Sequence, residues 1–133
     1  MKTVMLIDDS EADLLFSRII VSRSGVCDDV LEFDCARNAL AHLEAPAGGD
    51  VDMILLDINM PGMDGFQFLR AYEDLQRTAR ARAIVVMLTS SPDPRDREQA
   101  ESFDCVRGYV VKPIDLAAAQ RLGQLLDASP PNQ

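Results

Sequence analysis

Two apolar runs in this chain end in acids. Val4-Met5-Leu6-Ile7 is followed by Asp8 and Asp9, and Met53-Ile54-Leu55-Leu56 by Asp57. Each run has the length and character of a strand buried on both faces, as parallel strands are. In an open parallel sheet, ligands gather outside the carboxyl ends of the strands, so the three acids should face one crevice. Carboxylates held together repel, so either some stay protonated or a cation sits among them. A donor set made only of oxygen suits a hard ion such as Mg²⁺. Two more predicted strands end in Thr89 and Lys112. Two acids can hold a divalent cation, and a third can be a nucleophile toward phosphorus. A hydroxyl can donate to a phosphoryl oxygen, and an ammonium can neutralise the charge that develops there. Those are the parts of phosphoryl transfer. Each alone is commonplace, since a strand-end Asp is more often a cap or turn residue and a lone Lys is usually solvated. Together, at successive strand ends, they form a pattern that chance does not readily supply.

The elements that must position them read as five strand-like runs alternating with helices. The first strand lies near Thr3–Ile7. Ser10 offers an N-cap to the first helix, with Asp13 three residues on to complete a box-like start. Leu15, Phe16, Ile19 and Ile20 supply that helix's expected buried stripe, and Gly25 its C-cap. A second, weaker strand is expected near 29–33 and a helix near 37–44, ended by the Pro/Gly-rich stretch 45–49. The third strand is expected at 52–56, and Asn59-Met-Pro-Gly-Met-Asp-Gly65 reads as an irregular turn. A helix over about 66–78 leads to a strand at 83–88. A loop bracketed by Pro92 and Pro94 precedes a polar helix near 95–103. The last strand lies near 108–111. The last helix, at about 115–127, has Ala118, Leu122, Leu125 and Leu126 as its apolar stripe. This alternation predicts a single α/β domain: one doubly wound parallel sheet with helices on both faces. The domain should span 1–127, with 128–133 as a tail that frays.

Length and composition agree. The chain has 133 residues, enough for one domain with a real core, and 47% hydrophobic against 5% aromatic residues favours an aliphatic one. The net charge of −9, from 13 basic and 22 acidic residues, argues against nucleic acid, whose binding leans on Lys and Arg. Cys27, Cys35 and Cys105 show no Cys-x-x-Cys spacing, so they read as small apolar residues in a reducing compartment rather than as a disulfide framework or zinc site. No secretory h-region is visible, and no apolar stretch approaches the roughly 18 residues of a membrane span. The expectation is a cytoplasmic protein with no membrane partner.

Four segments carry a resemblance: Leu-Ile-Asp-Asp-Ser (6–10), Leu-Leu-Asp-Ile-Asn-Met-Pro-Gly-Met-Asp-Gly (55–65), Leu-Thr-Ser-Ser (88–91) and Tyr-Val-Val-Lys-Pro (109–113). Over residues 2–127 the chain resembles the CheY-like receiver domain of two-component response regulators, of the stand-alone, single-domain type. The resemblance implies a flavodoxin-like strand order 2-1-3-4-5. It implies Asp57 as phosphoacceptor, taking a phosphoryl group from a sensor histidine kinase or a phosphotransfer protein. Asp9, Asp57 and the backbone carbonyl of Asn59 would bind Mg²⁺ directly, and Asp8 through a water. Lys112 would pair with Asp57 and then with the phosphoryl group. Thr89 would move to hydrogen-bond that group, and Tyr109 would swing inward with it. Lys112-Pro113 would be cis. Such a chain is a switch acting on a downstream protein target, not an enzyme turning over external substrates.

Several features extend or limit this reading. Asp57 and Thr89 are 32 residues apart, and with Ser-Ser-Pro-Asp-Pro-Arg-Asp (90–96) this resembles regulators found with phytochrome-like histidine kinases. Arg77, Arg80 and Arg82 read as a solvated helix end, with acid pairing or kinase docking as the alternative. Asn59 and Ser91, small and polar, imply moderate-to-fast loss of the phosphoryl group. Leu116, Ala119 and Gly123, on the expected less buried side of the last helix, permit a homodimer. His42 has no partner at metal spacing and reads as a surface histidine. A phosphorylation-independent scaffold is opposed by the intact acid set with Thr89 and Lys112. A phosphatase or phosphomutase would want Asp-x-Asp where this chain has Asp57-Ile58-Asn59. Nucleotide binding lacks both Gly-x-Gly-x-x-Gly and a P-loop.

Overall fold

The computed structural model describes residues 2–45, 50–77, 82–90 and 93–128, with side chains described through 126. The expectations for Pro46–Gly49, Thr78, Arg80, Ser91, Pro92 and the 129–133 tail lie outside these residues. In chain order the elements are β1 (Thr3–Ile7), α1 (Glu11–Ser24), β2 (Asp29–Phe33), α2 (Ala36–Glu44), β3 (Met53–Leu56), α3 (Gly65–Gln76), β4 (Ile84–Thr89), α4 (Pro94–Glu101), β5 (Val106–Val111) and α5 (Leu116–Ala128). The strands form one parallel sheet in the order β2-β1-β3-β4-β5. That is the predicted doubly wound architecture.

Alternation within the central strands divides the core in two. Met5, Ile7, Ile54, Leu56, Val85 and Met87 face one side, where α2, α3 and α4 pack through Leu43, Phe68, Leu69, Tyr72 and Ala100. Val4, Leu6, Met53, Leu55, Val86 and Leu88 face the other, under Leu14 and Val21 of α1 and Ala118, Ala119, Leu122 and Leu126 of α5. Strands covered on both faces must be apolar at every position, which is why β1, β3 and β4 read as unbroken apolar runs. The edge strands β2 and β5 are only partly covered.

The first helix departs from its predicted stripe. Leu14, Ser17 and Val21 are its buried residues, Ile20 packs partly against the core, and Leu15, Phe16 and Ile19 are exposed. The cause is a buried serine: Ser17 occupies an inward position where apolar counting looks for a large residue, so the apparent stripe rotates away from the true one. Ser10 and Gly25 do cap this helix, with Gly25 at φ 74°, in the left-handed region that glycine enters freely. The proposed dimer face on α5 is also corrected. Ala119 is fully buried and Gly123 meets the turn that follows α1, where an added Cβ would lie 2.7 Å from a Val26 methyl, so of the three only Leu116 is exposed. Glycine there permits the close approach of α5 to that turn.

Candidate functional site

Two acids of the site, Asp8 and Asp57, are fixed by backbone hydrogen bonds to the neighbouring strand. The Asp8 N–H donates to the Phe33 carbonyl (3.1 Å) and the Asp57 N–H to the Ile7 carbonyl (3.0 Å), so the ladder runs on past the strand ends and holds both residues at the sheet's carboxyl edge. The Lys112 N–H donates to the Thr89 carbonyl (2.8 Å), which ties the ends of β4 and β5 together in the same way. The Lys112-Pro113 bond that follows is cis, as expected. Thr89 is fully buried at the end of β4.

At this edge one carboxylate oxygen from each of Asp8, Asp9 and Asp57 lies within 4.8 Å of the others. Asp8 and Asp57 are buried and Asp9 is exposed, so the group opens to solvent on one side. The Ile58 N–H donates to Asp57 Oδ1 (2.9 Å), and the Ser10 N–H to Asp8 Oδ1 (2.9 Å). Burial pushes the Asp57 carboxyl up to about 6; nearby Lys112 pulls it down, Asp8 and Asp9 push it up, and the Ile58 N–H lowers it, with burial prevailing. An acid so placed gains from any added positive charge. Three convergent carboxylates with no nitrogen or sulfur among them are a donor set for a hard divalent cation.

Lys112 supplies one such charge, and to the expected ion pair with Asp57 it adds hydrogen bonds to two other acids. Its Nζ donates to Asp8 Oδ2 (2.5 Å) and to Asp13 Oδ2 (2.9 Å), and stands 3.7 Å from Asp57 Oδ2. Burial disfavours its charged form, but the hydrogen bonds it donates to Asp8 and Asp13 and the charge on Asp57 outweigh that, and its pKa rises. Asp13 is a site residue that the sequence reading missed by assigning its carboxylate to a capping box. No local signal marks it, because the apolar residues of α1 suggest a different inward face and its partner Lys112 lies 99 residues on. In the sequence Gly65 reads only as part of a turn. In the fold it is the first residue of α3, and a Cβ there would lie 2.5 Å from the Asp57 carbonyl oxygen and 2.9 Å from Ile58 Cα. Its N–H donates to the Ile58 carbonyl (2.8 Å). Glycine thus lets the helix start directly against the loop that carries Asp57, and the Asp64/Gln67 capping box fixes that start.

The remaining expected residues stand around this centre. Asn59 is exposed two residues beyond Asp57. Tyr109 is half-buried on β5, with the Arg97 guanidinium of α4 5.5 Å from its ring centroid. Arg77 and Arg82 pair with Asp74 (3.3 Å) and Asp52 (3.0 Å), the acid-pairing alternative for that segment. His42 is half-buried rather than on the surface, its ring 5.5 Å from that of Phe33. Cys105 is buried, with its thiol pushed up to about 12 chiefly by that burial. No helix among the described residues is long and apolar enough to cross a membrane.

Comparison with known proteins agrees with this geometry. The response regulator receiver domain profile matches residues 4–122. The protein PilH of Pseudomonas aeruginosa is 29% identical over 117 residues, covering 86% of this chain and 88% of its own. The sensory/regulatory protein RpfC of Xanthomonas campestris is 28% identical over 124 residues, and there the chain spans only 16% of the relative's length. A two component response regulator from Cytophaga hutchinsonii superposes with a TM-score of 0.88 at 28% identity, over 97% of this chain and 98% of that one. A five-stranded parallel sheet of order 2-1-3-4-5, an acid group at its carboxyl edge and a matching profile over most of the sequence lead to one assignment: the chain belongs to the response regulator receiver domain family, the CheY-like signalling modules of two-component phosphorelays.

Proposed function

We propose that this receiver domain accepts a phosphoryl group on Asp57 from a histidine kinase or phosphotransfer protein and signals by altering its protein-binding face. The observation that carries the reading is the placement of Asp57: buried, within reach of two further acids, and 3.7 Å from the Lys112 ammonium. The Asp57 carboxylate forms the new O–P bond as the N–P bond of a phosphohistidine breaks, and the leaving imidazole takes up a proton. Lys112 Nζ neutralises charge on the incoming phosphoryl oxygens, and the Thr89 hydroxyl donates to one of them. Asp9, Asp57 and the Asn59 carbonyl would hold Mg²⁺, with Asp8 acting through a water. When bound, the ion screens the repulsion among the acids and the charge of the transferred group.

A phosphoryl group adds up to about two negative charges and three strong acceptors at one side chain. That bias can select a second packing of the loops after β3, β4 and β5, with Thr89 moving toward the phosphoryl group and Tyr109 inward after it. The face built by α4, β5 and α5 would then present a different surface to a downstream protein target. The reading implies a cytoplasmic location. The kinase is to be sought first among phytochrome-like types, because of the 57–89 spacing and the 90–96 segment.

The test is phosphoryl uptake from acetyl phosphate with and without Mg²⁺, followed by intact mass, for wild type and Asp57→Asn. Expected are one added phosphoryl group in wild type, dependent on Mg²⁺, and none in the variant. Equal uptake by Asp57→Asn would overturn the assignment, and uptake unchanged by metal chelation would overturn the role of Mg²⁺.

A further inference from the structure

Helix α1 starts with half of a capping box. Ser10 Oγ accepts from the Asp13 N–H at 3.3 Å, but the Asp13 carboxylate does not return to the Ser10 N–H, which donates to Asp8 instead. Asp13 Oδ2 accepts from Lys112 Nζ at 2.9 Å, across 99 residues of chain. The ammonium therefore sits between Asp8 and Asp13 and short of Asp57. Among its three carboxylates, Asp13 is the one nearly half exposed, at 45% of its side chain, against 8% for each of the others.

We propose that Asp13 is a positioning residue, a releasable anchor that holds Lys112 toward α1 and gives it up when the phosphoryl group on Asp57 draws the ammonium inward. The proposal rests on Asp57 being the phosphoacceptor. Attraction to a partly exposed carboxylate is screened by water and salt, so the Asp13 pairing is the weakest of the three to break. Asp13 also lies in the first turn of α1, where unpaired backbone N–H groups favour negative charge. A carboxylate freed there keeps a favourable environment, which suits it to letting go. Asp13 thus opposes the phosphorylated state by the strength of one screened ion pair, a factor of about two to five. It does so only through Lys112.

The experiment measures beryllofluoride affinity at fixed millimolar Mg²⁺ for wild type, Asp13→Asn and Asp13→Glu, and repeats the Asn substitution in a Lys112→Met background. Asp13→Asn is expected to bind about two- to fivefold more tightly than wild type, Asp13→Glu to return toward wild type, and the Asn effect to vanish without Lys112. A purely structural role would leave the dependence on Lys112 absent. Equal affinities for wild type and Asp13→Asn overturn the anchor, as does an Asn effect that persists undiminished in Lys112→Met. Asp57→Asn separates the two readings: if it binds beryllofluoride as wild type does, the phosphoacceptor assignment falls and the anchor with it, whereas a dead Asp57→Asn beside an unaltered Asp13→Asn removes the anchor alone.

Discussion

At the scale of single residues, Asp57 is in tension with its surroundings. Its carboxyl is raised to about 6 in the fold, against 3.8 for an ordinary aspartate, chiefly by burial. Between those values the folded state binds more protons than the unfolded one, so the metal-free protein loses stability as pH rises from about 4 to about 6, and the full cost, up to about 3 kcal/mol, persists above 6. Asp57→Asn is therefore expected to melt higher than wild type at pH 7 without divalent metal, with the difference shrinking toward pH 4. Millimolar Mg²⁺ should raise the wild-type melting temperature and narrow the gap. Thermal melts across this pH range check it, and parallel curves for the two proteins would show that Asp57 carries no such tension. The acids, Thr89 and Lys112 could be read from sequence because each directly follows an apolar run. The partners of Lys112 could not: Asp8 and Asp13 lie 104 and 99 residues away, and no local spacing encodes which acid reaches the ammonium.

At the scale of elements, the start of α3 governs how well Asp57 is placed. Gly65→Ala puts a methyl against the Asp57 carbonyl and Ile58 Cα, both backbone atoms that cannot swing aside. The expected result is a loss of about 1–3 kcal/mol, typical of overpacking, together with slower phosphoryl uptake. Urea denaturation and the acetyl phosphate assay read the two effects. Uptake and stability both unchanged would mean that the loop has slack at this point. The strands were legible because burial on both faces demands continuous apolar residues, and their observed bounds lie within one or two residues of the predicted ones. The orientation of α1 was not legible. Its sequence offers Leu, Phe and Ile around much of the helix, and the choice of inward face is made by what α5 and the sheet accept, including a serine at 17.

At the scale of the whole molecule, the strand order brings β1 and β3 side by side at the centre and leaves β5 at an edge, yet Lys112 must reach back from β5 to the acid after β1. Order and layering followed from alternation and the family resemblance; the reach of that one side chain depends on the register of β1, β3, β4 and β5. Loss of phosphoryl uptake in a urea series is accordingly expected to coincide with loss of helical circular dichroism. Uptake vanishing well before global unfolding would show that the site opens as a local unit. The 104-residue span between Asp8 and Lys112 also bears on synthesis. A ribosome-bound nascent chain exposes the acids long before the ammonium emerges, so the module gains its full charge balance only when its last strand docks.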